Sequence, residues 1–165
     1  MALKRKKDGK ITWPHIISFT DSIFAGKIRQ FMYLLGYDIG SSSVKVALVE
    51  AESRRVVSMA QYPEQEMPMN APHSDWAEQN TTDWWAAACL ATRKMLASSA
   101  VSVHQIAGIG IAYQMHGLVL LSKAGTVLRP SIIWCDSRAV DIGNQAFKAL
   151  GTSFCLEHYL NSPGN

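Results

Sequence analysis

The stretch Leu34–Glu50, "LLGYDIGSSSVKVALVE", places one aspartate, a glycine and three serines between two apolar runs. In the second run Val44, Val46 and Leu48 alternate with Lys45 and Ala47, the period of two expected of a strand with one buried face. The run "YLLGYDIG" reads as a partner strand, so Gly40–Ser43 is a tight turn between two strands. Such a turn exposes backbone N–H groups and hydroxyls. Gly40 lets a ligand approach closely, Ser41, Ser42 and Ser43 can donate to phosphate oxygens, and Asp38 can hold a magnesium-bound water. The stretch lacks the G-x-x-x-x-G-K-[ST] pattern of a P-loop. Taken alone, a hairpin with a merely solvated tip explains it equally well.

Working outward, "RRVVSMAQYP" from Arg54 reads as a third strand, which makes an antiparallel meander. Residues 63–80 carry three prolines and no clean period, and read as a loop. A helix follows, capped by Asn80 or Thr81, with Asp83 at the positive end of its dipole. Trp84, Ala88, Ala91 and Met95 share its apolar face, beside Trp85, Cys89 and Leu96. Ile106–Ala112 is short, apolar and glycine-bearing, as a buried strand would be. Leu118–Leu121 and the start of "SIIWCDSRA" read as two further strands, and "VDIGNQAFKAL" as a helix. The order β-β-β, helix, three strands, helix gives an α/β fold. It consists of one mixed sheet with an antiparallel meander, flanked by helices. That order occurs in ribonuclease H-like and actin-like ATPase domains.

The chain has 165 residues, enough for one domain with a real core. No apolar run reaches the ~18 residues of a membrane-spanning helix. Cys89, Cys135 and Cys155 are widely spaced and odd in number, which points to reduced thiols in a cytoplasmic protein rather than zinc or a disulfide framework. The formal net charge is +3, yet residues 1–31 hold seven Lys/Arg and two Asp. From residue 32 onward nine basic residues face eleven acidic ones, a net of −2. The basic character belongs to a leader, residues 1–31, expected to be disordered or foreign to the domain, which starts at Met32. "KRKK" is read as a solvated end, not as a nucleic-acid or membrane contact.

Three other segments carry polar chemistry. "YQMHG" at residues 113–117 ends a strand, where ligands collect in open α/β sheets. Gln114 and His116 there suit polyol hydroxyls, although a lone histidine is more often structural. "WCDSR" sets Trp134 near Asp136 and Arg138, a common sugar-site composition that equally describes a structural ion pair. "HSDWAEQN" offers Trp76, Glu78 and Gln79, with Trp76 more often a core or loop anchor than a sugar platform.

Together and in this order, "YDIGSSSVKVALVE", "HSDWAEQN…DWW", "IAGIGIAYQMHGLVLL" and "VLRPSIIWCDSRA" resemble the N-terminal portion of an FGGY-family carbohydrate kinase, most of all its D-xylulose-phosphorylating members. The resemblance runs from about Met32 to Leu150. It implies an actin-like, ribonuclease H-type fold with ATP in a cleft between two domains. It also implies phosphoryl transfer from MgATP to a hydroxyl of a pentulose such as D-xylulose. Asp38, Gly40, Ser41, Ser42, Ser43 and Lys45 would serve the ATP phosphates, with Asp38 on magnesium through water. Gln114, Met115 and His116 would contact the sugar, and Trp134, Asp136 and Arg138 would shape its pocket. Cys135 stands where these kinases often have Asn or Gln.

The resemblance places the catalytic base beyond Asn165, and with it the adenosine site and the second domain. Hence residues 32–165 are expected to be an incomplete N-terminal domain, inactive alone, with a C-terminal domain or homodimer partner to complete it. The alternatives are a non-catalytic sugar- or phosphate-binding fragment and a ribulose, fuculose or gluconate kinase of the same family. An actin-like or chaperone-type ATPase ranks behind these, because "QMHG" and "WCDSR" have no role in one.

Overall fold

The computed structural model describes residues 32–160 and 163, so the basic leader lies outside the described residues. Tyr33–Ile39 (β1) and Val44–Glu50 (β2) form the expected hairpin, in register from Tyr33 opposite Glu50 to Ile39 opposite Val44. Val56–Tyr62 (β3) pairs antiparallel with β2 and begins two residues later than Arg54. After the connection and a helix, Ile106–Tyr113 (β5) returns parallel to β1, giving a mixed sheet ordered β3-β2-β1-β5.

The helix is Thr81–Ala97 (α1). Its buried stripe is Ala87, Ala91 and Met95, spaced four apart. Alanine at two of the three positions lets the helix approach the sheet closely. Met95 and Ala91 pack on Leu35, Val46 and Leu48, and Ala87 joins Val44 and Met67. The expected face is kept, with Ala91 and Met95 buried and Trp84 and Ala88 packed beside the core, but Ala87 is more deeply buried than Ala88, and Trp85 faces outward. Asn80 occupies the N-cap position, but its side chain reaches Asp83 at 3.4 Å instead of a backbone N–H.

Polar bonds also tie helix to sheet: Ser58 Oγ of β3 donates to Met95 O at 3.2 Å, and a second link starts from β1. The Tyr37 hydroxyl and the Thr92 hydroxyl lie 2.7 Å apart, and Thr92 Oγ1 donates to Ala88 O at 2.7 Å. Tyr37→Phe removes this link while keeping the ring. The expected loss is about 1 kcal/mol, read as a lower urea midpoint at unchanged slope. An unchanged midpoint would show the bond contributes nothing.

The strand expected to be buried is not. Ile109, Ile111 and Tyr113 of β5 are 63%, 61% and 69% exposed. Their register partners Leu35, Tyr37 and Ile39 lie on the α1 face. However, α1 lies mainly over β2 and β3; of β5, an edge strand among the described residues, only Ile106 at its start packs against the core under α1.

Leu118–Leu121 is likewise no regular strand. It makes only single bridges, Leu118 to Ile132 and Leu121 to Val127. A second, two-stranded sheet joins Glu78–Gln79 (β4), inside the region read as loop, to Ser131–Ile132 (β6), where a short strand was expected. Val140–Leu150 (α2) forms as expected. Gly151, at φ 86°, then turns the chain into a further helix, Thr152–His158 (α3), that the sequence pattern did not reveal. No helix among the described residues is long and apolar enough to cross a membrane.

Candidate functional site

The turn after β1 is held by its carbonyls. Ser43 O accepts from Gly40 N–H at 3.1 Å and Ser42 O from Met67 N–H at 2.8 Å. Ser41 O accepts from Gln79 Nε2 at 2.7 Å. The Ser41 hydroxyl also accepts from Trp134 Nε1 at 3.2 Å. Among the described residues, the N–H groups of Ser41, Ser42 and Ser43 donate to no protein acceptor. Tying carbonyls back and leaving successive N–H groups free is how a turn becomes an anion-binding concavity. Gly40 fits because a Cβ there would meet Ser43 O at 3.1 Å, tighter than the turn accommodates without movement.

Asp38 stands opposite Lys45 across the hairpin, 3.4 Å from its Nζ. Both side chains are more than half exposed, so this pair contributes ~0–1 kcal/mol and either member is easily recruited by a ligand. A magnesium ion bound with phosphates needs only one or two carboxylates, its other positions being phosphate oxygens and water. Asp38 fits that requirement, and no cluster of three acidic, His or Cys side chains occurs among the described residues.

The "YQMHG" segment is brought to the same end of the sheet. Gln114 N–H donates to Ile39 O at 3.0 Å, the residue just before Gly40. The side-chain amide of Gln114 has both polar atoms buried without a hydrogen-bond partner. Leaving such groups unpaired costs ~1–3 kcal/mol, and a group with both donor and acceptor character, such as a polyol hydroxyl, would satisfy them. His116 adopts φ 62°, a left-handed conformation uncommon for a non-glycine residue. Met115 and His116 are exposed, as is Trp134.

Asp136 and Arg138 are engaged with one another. Arg138 Nε donates to Asp136 Oδ1 at 2.8 Å and a terminal guanidinium nitrogen donates to Oδ2 at 2.6 Å. That same nitrogen reaches Glu78 Oε1 at 2.6 Å, which also pairs with Arg129. Asp136 Oδ2 further accepts from Ala77 N–H at 2.7 Å. The Arg138 guanidinium lies 3.8 Å from the Trp76 ring centroid, and His73 meets Trp76 edge-on at 4.5 Å. Trp76 is therefore a loop anchor. The Arg138 guanidinium lowers the Asp136 carboxyl to about 2, with burial opposing and the Ala77 and Arg138 N–H groups assisting. Asp136 in turn raises the guanidinium further above its ordinary value, with Glu78 assisting. This cluster clamps "DWAEQ" to "WCDSR", and through Gln79 and Trp134 both segments reach the serine turn. The sequence singled out the residue types of the clamp but carried no signal that Glu78 joins two arginines.

A model of the FGGY family of carbohydrate kinases, N-terminal domain, matches residues 33–154. The chain belongs to this family. It is 37% identical over 110 residues to a xylulose kinase of Klebsiella pneumoniae, covering 67% of the chain and 21% of that protein. It is equally 37% identical over 112 residues to an L-xylulose/3-keto-L-gulonate kinase of Escherichia coli, covering 67% of the chain and 21% of that protein. The crystal structure of a xylulose kinase from Rhodospirillum rubrum superposes with a TM-score of 0.65 at 27% identity, over 75% of the chain and 25% of that structure. The chain thus spans about a fifth of the length of the curated relatives it matches. Its mixed sheet is part of the actin-like ATPase fold of this family.

Proposed function

We propose that this chain supplies the phosphate-cradling turn and one wall of the sugar pocket of an ATP-dependent pentulose kinase, working in the cytoplasm, whose acceptor is D-xylulose or a close relative. The observation that carries the reading is the junction of two unsatisfied groups. The free N–H groups of Ser41–Ser43 and the unpaired Gln114 amide are joined through the Gln114 to Ile39 backbone bond. One set of donors suits phosphate oxygens and the other suits a polyol, and phosphoryl transfer requires the two substrates side by side.

In this reading the serine turn holds the phosphates and Lys45 adds positive charge beside them. Asp38 holds magnesium through water, and the ion when bound neutralises charge on the transferring phosphoryl group. Gln114 orients the sugar hydroxyls, with Met115 and His116 closing over them. Trp134 forms the adjoining wall, and Asp136 and Arg138 shape that wall from behind. Turnover then depends on residues outside this chain.

Titrating D-xylulose and, separately, MgATP into the isotopically labelled chain tests the proposal by NMR. D-xylulose is expected to move the amide signals of Gln114–Gly117 at millimolar concentration, and MgATP those of Gly40–Ser43. His116→Ala should weaken the sugar about tenfold, equivalent to about 1.4 kcal/mol, and leave MgATP alone. Ranking glycerol and gluconate beside D-xylulose identifies the acceptor class. Silence toward both D-xylulose and MgATP would sink the reading.

A further inference from the structure

We infer that Gln79 is the positioning residue of the phosphate turn, holding the Ser41 carbonyl so that the Ser42 N–H on the same peptide plane is presented to a polyphosphate. The inference rests on the reading of the serine turn given above, and concerns a residue that contacts neither substrate.

Gln79 is 3% exposed and lies in the short strand β4. A buried amide in that setting must place two donors and an acceptor. Its Nε2 donates to Ser41 O at 2.7 Å and to Pro68 O at 3.3 Å. Its Oε1 accepts from Trp84 Nε1 at 3.0 Å. Trp84 is in the first turn of α1, so the orientation of the amide is set by the helix and passed to the turn. The Trp84 bond also settles which end of the amide faces Ser41, because an indole N–H can only donate.

The consequence for the turn is specific. A peptide unit is rigid, so fixing the Ser41 carbonyl fixes the orientation of the Ser42 N–H on the same plane. Met67 N–H does the same through Ser42 O for the Ser43 N–H. Two successive donors, the N–H groups of Ser42 and Ser43, thereby acquire their aim from residues 67, 79 and 84. Preorganised donors cost nothing to orient when the anion arrives, whereas a loose turn would lose affinity to that ordering. Sugar binding at Gln114 does not use these bonds.

The test compares wild type with Gln79→Met, which keeps length and removes every polar atom. Magnesium tripolyphosphate is titrated as the phosphate probe, D-xylulose as the sugar probe, and Tyr37→Phe serves as a variant with a lost tertiary bond away from the turn. The expected result is about tenfold weaker tripolyphosphate binding by Gln79→Met, matching the loss of about 1.4 kcal/mol of preorganisation. D-xylulose affinity should change less than about twofold, and Tyr37→Phe should alter neither. Unchanged tripolyphosphate affinity would overturn the inference, and so would equal losses for both ligands, the mark of a purely structural residue. Wild type that binds no tripolyphosphate would overturn the phosphate reading itself, and the inference with it. Should Gln79→Met not fold, side-chain amide exchange of Gln79 in wild type decides. Slower exchange on adding tripolyphosphate but not D-xylulose is expected, and no change refutes the role.

Discussion

Arg138→Met is expected to destabilise the domain by about 3–5 kcal/mol at neutral pH, the usual consequence of removing one partner from a buried ionic cluster. Two carboxylates depend on this guanidinium. The Asp136 side chain is 3% exposed and that of Glu78 7%, so neither can turn to water. Glu78 retains Arg129, but Asp136 keeps only backbone donors. Methionine also gives up the stacking of the guanidinium on Trp76. The measurement is the denaturant midpoint at constant slope.

Acid supplies the second half of this test. In wild type the folded Asp136 pKa, about 2, lies below its ordinary carboxylate value. Its contribution is therefore fully present above pH ~4 and is lost as pH falls toward ~2, roughly 2–3 kcal/mol in all. In Arg138→Met the carboxyl is buried without its cation, and protonation relieves it. The gap between the two proteins should accordingly narrow from pH 6 to pH 3. A loss below ~1 kcal/mol that does not vary with pH would show that the cluster contributes little.

Leu48→Ala is expected to cost about 2–5 kcal/mol. Leu48 is fully buried at the middle of β2, between β1 and β3 and beneath Ala91 and Met95 of α1. The loss combines the transfer energy of the missing methyl groups with the cavity left behind, because a sheet position flanked on both sides cannot collapse. Met59→Ala provides the contrast. Met59 pairs with Ala47 in the β2–β3 ladder, is 69% exposed, and should change stability by no more than ~0.5 kcal/mol. Equal losses at the two positions would contradict the assignment of the core to the α1 side of the sheet.

The parts of the fold legible in the sequence are those with a local period. Val44, Val46 and Leu48 alternate, so β2 and its hairpin with β1 could be read directly. Asn80 or Thr81 was expected as the cap, and Asn80 takes the N-cap position of α1. Of the second sheet, β6 was expected at the start of "SIIWCDSRA", but β4 and its pairing could not be read, because β4 is two residues long and its partner lies more than 50 residues away. The exposure of β5 was also illegible, since composition reports that a strand is apolar but not whether a helix lies over it. Glycine followed by "TSFCLEH" is too short a run to show a helical period, which is why α3 went unseen.

At the site, the polar character of Asp38, Ser41–Ser43, Gln114 and His116 and their place at strand ends could be read from the sequence, and the structure brings these segments to one end of the sheet. The clamp could not be read. Whether Asp136 and Arg138 face a ligand or each other depends on Glu78 and Ala77 arriving from another segment, and spacing along the chain carries no information about that meeting.

The serine turn joins neighbouring strands, yet its carbonyls are held by Gln79 and Met67 and its first hydroxyl by Trp134. A hairpin can close early, since its ends are near in sequence, whereas these holders reach the turn only after much longer loops have closed. The turn's backbone can therefore close before the groups that hold its carbonyls have docked. Under the proposed function, phosphate affinity would then gauge whether the distant segments have docked, and a local opening of residues 63–80 would silence it while the meander stays folded.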